Sequence, residues 1–389
     1  MTSAGPAMQR ATVGTGPDAL VHADLVLSLG PHHPANQGSL RLRVVAVGER
    51  VVAAEPLVGL LHRGAEKLFE VRDYRQILVL ANRHDWLSAF AGELGACLVV
   101  EEALGLPVPD RAVWIRMLLA ELTRVSSHLA FLAAFPTEVG TAPVAAPNPL
   151  REQVLALFEE LSGARMHLMI AQLGGLRADL PAGWAARARH TVAQVRAGLA
   201  AVVEPVEAPS VRSRTENVGV LSVEQVHAYG ASGAMARASG VDIDVRRDEP
   251  YLGYAELFAE GGPGRVVTRS AGDCAARLQV LAQQVEVALD LADACLDRLA
   301  SLPPGPVAVR LPKVVRVPEG EWYRATETPL GMAGYYLVSR GDKTPWRLKL
   351  RSASFGNVEV LAELLVGCDL SDLQTVVGSC CFGIGDVDR

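Results

Sequence analysis

Between about Gly64 and Leu302 the apolar residues recur at intervals of three and four, the period of stacked amphipathic helices. Leu87, Phe90, Ala91, Leu94 and Leu98 mark one face of a helix that Gly105-Leu106-Pro107 ends. Pro109 and Asp110 open the next, with Ile115, Leu118, Leu119, Leu122, Val125 and Leu129 along its buried stripe. Asn148-Pro149 reads as an N-cap followed by a first-turn proline, and starts a third with Val154, Leu157, Phe158 and Leu161 inward. A fourth begins near Pro181, and Ser222 with Gln225 forms the capping box of a short helix. The stretch 273–302 makes a long helix, stopped by Pro303-Pro304-Gly305-Pro306.

Both flanks of this helical region change to a period of two. Asp24–Leu29 and Ser39–Val44 are patterned as strands, with Leu40, Leu42 and Val44 alternating with Arg41 and Arg43. Val47-Gly48-Glu49-Arg50 turns the chain into Val51–Ala54. Near the other end, Tyr335–Val338 and Trp346–Arg351 flank Arg340-Gly341-Asp342-Lys343 as a hairpin. The expected fold is therefore α+β and mainly helical. It divides into a disordered start (1–20), an N-terminal β subdomain (21–63), a helical bundle core (64–302) and a C-terminal β/α portion completing the fold (303–389).

Composition narrows the function classes. The 389 residues suffice for a large core, and half of them are hydrophobic. A net charge of −6 gives no footprint for nucleic acid or for direct binding to an anionic membrane surface. No uninterrupted apolar run reaches the ~18–20 residues of a membrane span, and the first twenty residues lack the apolar segment of a signal peptide. A soluble chain that reaches a membrane through a partner is expected. The six cysteines, at 97, 274, 295, 368, 380 and 381, contain no C-x-x-C pair, so no metal or iron–sulfur cluster held by this chain is expected. A glycine-rich phosphate loop and a G-x-S-x-G elbow are both missing from the sequence.

Four polar clusters interrupt the apolar pattern. They are the loop Gly30-Pro31-His32-His33-Pro34-Ala35-Asn36-Gln37-Gly38 between two strands, then Leu61–Lys67, then Asn82-Arg83-His84-Asp85-Trp86, then Arg124-Val125-Ser126-Ser127-His128 inside a helix. A loop of this kind is where a scaffold presents polar groups to a ligand. Histidines beside carboxylates suit proton transfer, although a histidine taken alone more often has a capping or structural role.

Taken in order, the clusters resemble the 49 kDa (D-type) subunit family of proton-translocating NADH–quinone oxidoreductase, respiratory complex I. The resemblance rests on Gly30-Pro31-His32-His33-Pro34 with Gly38, Leu61-His62-Arg63-Gly64 with Glu66-Lys67, and Asp73-Tyr74-Arg75-Gln76. It continues through Arg83 with Asp85, Ala120-Glu121-Leu122-Thr123-Arg124, His128, Arg165-Met166-His167, and Ala238-Ser239-Gly240-Val241 with Asp244-Val245-Arg246. It ends at Gly385-Asp386-Val387-Asp388-Arg389, so it covers the chain from about residue 24 onward.

That family shares its fold with the large subunit of nickel–iron hydrogenases, whose metal sits on two C-x-x-C pairs. By the resemblance those positions fall on Asp85 and Ser88 and on Gly383 and Asp386. Nickel and iron need thiolates there, so hydrogenase activity is excluded. The resemblance implies instead a peripheral-arm subunit on the cytoplasmic side of the membrane. It implies a quinone site at His33, Gln37, Asp85, Trp86 and Glu138, and a position for Arg63 near a partner's terminal iron–sulfur cluster. Quinone is the implied substrate. NADH, FMN and the clusters belong to partners, among them the iron–sulfur cluster subunit, a C-type peripheral-arm subunit and the membrane arm.

Three positions depart from the family. Gln37 stands where a histidine bonds a quinone carbonyl, Trp86 where a tyrosine bonds the same headgroup, and Glu138 where an aspartate partners the histidine. Glutamine donates a hydrogen bond without delivering a proton, and an indole N–H does not titrate near neutrality. Two-electron, two-proton reduction then needs another proton source, with His33, His84 and water as candidates. The rival expectation is a diverged, non-catalytic paralogue that keeps the fold and interfaces as a scaffold.

Overall fold

A computed structural model describes residues 20–27, 40–140 and 146–389. The stretch expected to be disordered, up to residue 19, and the 30–38 loop with His33 and Gln37 lie outside the described residues.

Leu20–Leu27, Leu40–Val47 and Arg50–Leu57 form one antiparallel three-stranded sheet. Leu40, Leu42 and Val44 are buried and Arg41 and Arg43 exposed, as the alternation requires. The two-residue turn is made at Gly48, whose φ of 60° suits a glycine. The buried face does not close on itself. It joins a smaller core with Leu221, Val226, Met235, Val358, Leu361 and Phe382. Val51 pairs through its backbone with Gly367 and Cys368, so the chain's two ends share one core.

The larger core is built by five helices: Ala89–Leu104, Asp110–Glu138, Pro147–Ser162, Trp184–Glu207 and Cys274–Ser301. The full expected stripe of the second helix is buried. Its span Asp110–Pro136 is long and apolar enough to cross a membrane by length and composition, yet 89% of the tested window is buried inside the fold. Water is excluded there by protein. The third helix starts earlier than expected, because Pro147 rather than Pro149 takes the first-turn position and Ala146 caps it. The fourth starts at Trp184 after Gly183 at φ 73°, and the Trp184 indole donates to Leu157 O at 2.9 Å. The Ser222–Gln225 capping box is present.

Arg124, Arg237 and Arg246 lie with Glu121, Asp244 and Glu327 in the interior, three cations against three anions. Arg124 also donates to Glu327 O at 2.8 Å and Thr328 O at 2.9 Å, tying the second helix to a C-terminal strand. His128 sits beside this network, 3.0 Å from the Gln284 amide. Burial pushes its imidazole down to about 3, with Arg124 adding repulsion, so it is neutral and structural.

The C-terminal sheet has three antiparallel strands, Glu319–Thr328, Gly331–Arg340 and Arg347–Arg351. The last two are the expected hairpin, with Val338 opposite Arg347. The first strand is additional, joined by the tight Pro329-Leu330 turn.

Candidate functional site

The segment between the helix ending at Ala81 and the helix starting at Ala89 is held by its own carboxylate. Asp85 accepts from Leu87 N at 3.0 Å, from Ser88 N at 3.3 Å and from Ser88 Oγ. These bonds fix a turn that needs no regular structure. The chain's last helix, Ile384–Asp388, meets the turn from the other end of the sequence. A Cβ placed on Gly383 would lie 3.7 Å from Asp85 Oδ1, and one on Gly385 would lie 2.6 Å from His84 O. Only glycine permits that second approach.

Asp85, Ser88, Gly383 and Asp386 thus converge, 295 or more residues apart in sequence across the two pairs. Asp85 and Asp386 line one cavity of about 30 Å³ together with His84, Ser88, Tyr335 and Arg351. That volume admits one or two waters. Asp386 accepts from Ser354 N at 3.1 Å. Neither carboxylate has an ion-pair partner among the described residues. Burial first, and the facing Asp386 second, push the Asp85 carboxyl up to about 7. Burial raises Asp386 as well. No group of three or more His, Cys, Asp or Glu suited to a metal occurs among the described residues.

His84 flanks this cavity with its ring edge-on to Phe69. Burial, then the charges of Arg63 and Arg389, push it down to about 3. At pH 7 the ring is therefore the neutral imidazole, without the imidazolium proton a general acid would give, which argues against His84 as the proton source. Trp86 packs against the larger core, and its indole N–H is buried without an acceptor among the described residues. Such an orphan donor costs stability unless a ligand takes it up.

Glu138, at the far end of the second helix, is 5% exposed. Its carboxylate accepts from Gln374 Nε2 at 2.6 Å, and burial raises its proton affinity. It does not line the Asp85 cavity. Gly378 makes room for it, since a Cβ there would lie 2.8 Å from Glu138 Cγ.

Arg63 heads a separate chain of contacts. It donates to Arg83 O at 2.5 Å, Arg83 donates to Asn82 Oδ1 at 2.8 Å, and His167 Nδ1 donates to the same oxygen at 2.7 Å. Asn82 in turn donates to Glu93 at 2.6 Å, and Glu93 accepts from Met169 N and Ala171 N. Burial pushes Glu93 up to about 7 despite those bonds. The result is a rigid polar patch presenting Arg63 and Arg83 to solvent. The terminal motif has a clamping role: Asp388 accepts from Gly59 N and Leu61 N at 2.7 Å each, and Glu66 accepts from Arg389 Nε at 3.3 Å.

The pairing of Asp85 and Ser88 with Gly383 and Asp386 was legible in the sequence only through the family resemblance. Tyr335 and Arg351 carried no sequence signal, because each sits within an ordinary strand pattern.

The family model for "Respiratory-chain NADH dehydrogenase, 49 Kd subunit" matches residues 140–389. The D 1 subunit of NADH-quinone oxidoreductase from Streptomyces coelicolor is 57% identical over 380 residues, covering 97% of this chain and 98% of that one. The D 2 subunit from Streptomyces griseus is 56% identical over 98% of this chain and 96% of its own length. The corresponding D subunit from Carboxydothermus hydrogenoformans is 35% identical over 94% and 98%.

Proposed function

Because the chain belongs to the 49 kDa subunit family of respiratory-chain NADH dehydrogenase, and so to a membrane-associated NADH–quinone oxidoreductase, we propose that it forms part of the quinone chamber in that enzyme's peripheral arm. The reaction takes two electrons and two protons to a quinone. Electrons pass from NADH through FMN and iron–sulfur clusters on partner subunits, and this chain contributes none of those groups. The Arg63–Arg83–His167 patch faces the partner that carries the terminal cluster, where cations favour the reduced, more negative state. The assembly lies on the cytoplasmic side of the membrane and couples quinone reduction to proton translocation.

The observation that carries this reading is the indole N–H of Trp86, buried without an acceptor among the described residues. A quinone carbonyl would supply one. Gln37 is the second carbonyl donor, with His33 in the same loop, and Glu138 is the acidic residue of the chamber. Pocket donors of this kind orient a ligand that apolar contacts hold. The replacement of two titratable family contacts by Gln37 and Trp86 is what favours the scaffold alternative.

Photolabelling the assembled complex with an azido-quinone tests the assignment. Label on peptides 30–38 and 82–88, competed away by excess quinone, is expected. Competable label confined to other subunits would refute it.

A further inference from the structure

We propose that Asp85 and Asp386 share one proton across their cavity and deliver it to the reduced quinone, replacing the titratable contacts absent at Gln37 and Trp86. The proposal rests on the quinone reading above.

The geometry is that of a proton store. Two half-buried side chains bring carboxylates from residues 301 positions apart to one cavity of about 30 Å³. Two like charges in a desolvated space cannot both ionise without a large penalty, so one proton is retained between them. The surroundings temper this affinity without abolishing it. Ser88 and the turn amides donate to Asp85, Ser354 N donates to Asp386, and each of these bonds favours the ionised form against the burial that opposes it. Arg351, from the last strand, directs its guanidinium to the carbonyls of Gly230 and Met332, and Arg389 is engaged by Glu66. Both cations stand near enough to limit the raised affinity of Asp386 without pairing with it. Tyr335 holds its proton far above neutrality, and His84 is neutral, so neither competes as donor. Asp85 is bonded to Trp86 through the backbone, which puts the store one residue from the proposed headgroup contact.

In the step itself, a partner's cluster supplies electrons to the quinone, and the carbonyl oxygen takes a proton through water in the cavity. One carboxyl O–H breaks and one quinone O–H forms. The pair, left doubly negative, regains a proton taken up from bulk solvent (a hydronium or buffer acid, relayed by the cavity water) and delivers it after the second electron, giving quinol.

The test compares assembled wild-type complex with Asp386→Asn, Asp85→Asn and Asp386→Glu. Readouts are NADH:quinone reductase from pH 5.5 to 8.5, NADH:hexacyanoferrate reductase (which needs no quinone proton), and azido-quinone labelling. General acids contribute roughly 10²–10⁴-fold. Both Asn variants are therefore expected to lose at least a tenfold share of quinone reduction and the decline above about pH 7 that the shared proton imposes. Hexacyanoferrate rates should be retained, labelling should be retained in Asp386→Asn, and Asp386→Glu should restore a pH-dependent rate. Wild-type rates and pH profile in the Asn variants, with labelling intact, would overturn the proton store and leave the quinone chamber standing. No competable label in wild type would overturn both.

Discussion

Arg116 offers the sharpest test of the interior packing. Its guanidinium is fully buried, at 0% exposure, against a Glu101 side chain at 5%. Two bonds of 2.8 and 2.6 Å bind that carboxylate, and two more hold Gln172 O at 2.9 Å and Gly175 O at 2.8 Å. In Arg116→Met, Glu101 keeps only Gly174 N, at 2.7 Å, and two carbonyls lose a donor. An orphaned buried charge costs about 3–5 kcal/mol. Set against a total stability of about 5–15 kcal/mol, that is a large fraction. Arg116→Met/Glu101→Met removes the orphan charge as well, so it should be more stable than the single Arg116 variant by about 1–3 kcal/mol. Urea denaturation of the purified chain at neutral pH measures both. A loss below about 1 kcal/mol in Arg116→Met, or a double variant equal to the sum of the singles, refutes the reasoning.

Asp85→Asn should reveal a pH-dependent burden. The folded Asp85 carboxyl is raised from 3.8 to about 7, so the native state holds a proton that the unfolded chain has released. Wild-type stability is therefore unpenalised below about pH 4, falls as pH rises toward 7, and stays low above it. Asp85 alone contributes a slope approaching about 1.4 kcal/mol per pH unit, and Asp85→Asn should lose that share in urea midpoints from pH 4.5 to 8 while Glu93 and Asp386 keep theirs. A wild-type-to-variant difference independent of pH contradicts the placement. Gly95→Ala would set a Cβ 2.0 Å from the Tyr335 ring. Overpacking of this kind costs about 1–3 kcal/mol, read as a lower thermal midpoint, and an unchanged midpoint would show that the ring yields freely.

The helical core was legible because burial on one face leaves a three-and-four repeat, seen in the stripe from Ile115 to Leu129. The strand Glu319–Thr328 escaped because its outer half is half-exposed and its inner half continuously buried, which blurs the period of two. The helix at Pro147 was misplaced at its start because two prolines compete for the first-turn position. The Arg63 to His167 network joins residues about a hundred positions apart, and no local pattern records such contacts. The Asp85–Asp386 cavity likewise exists only in the fold, where glycines at 383 and 385 let the chain's end approach the 82–88 turn.

The most direct measurement is NADH:quinone reductase activity of the assembled complex, wild type beside Gln37→His/Trp86→Tyr. Quinone reduction by the wild type, lost when this chain is omitted, is the result the account predicts. Turnover only in the double variant would contradict it and make the native chain a scaffold.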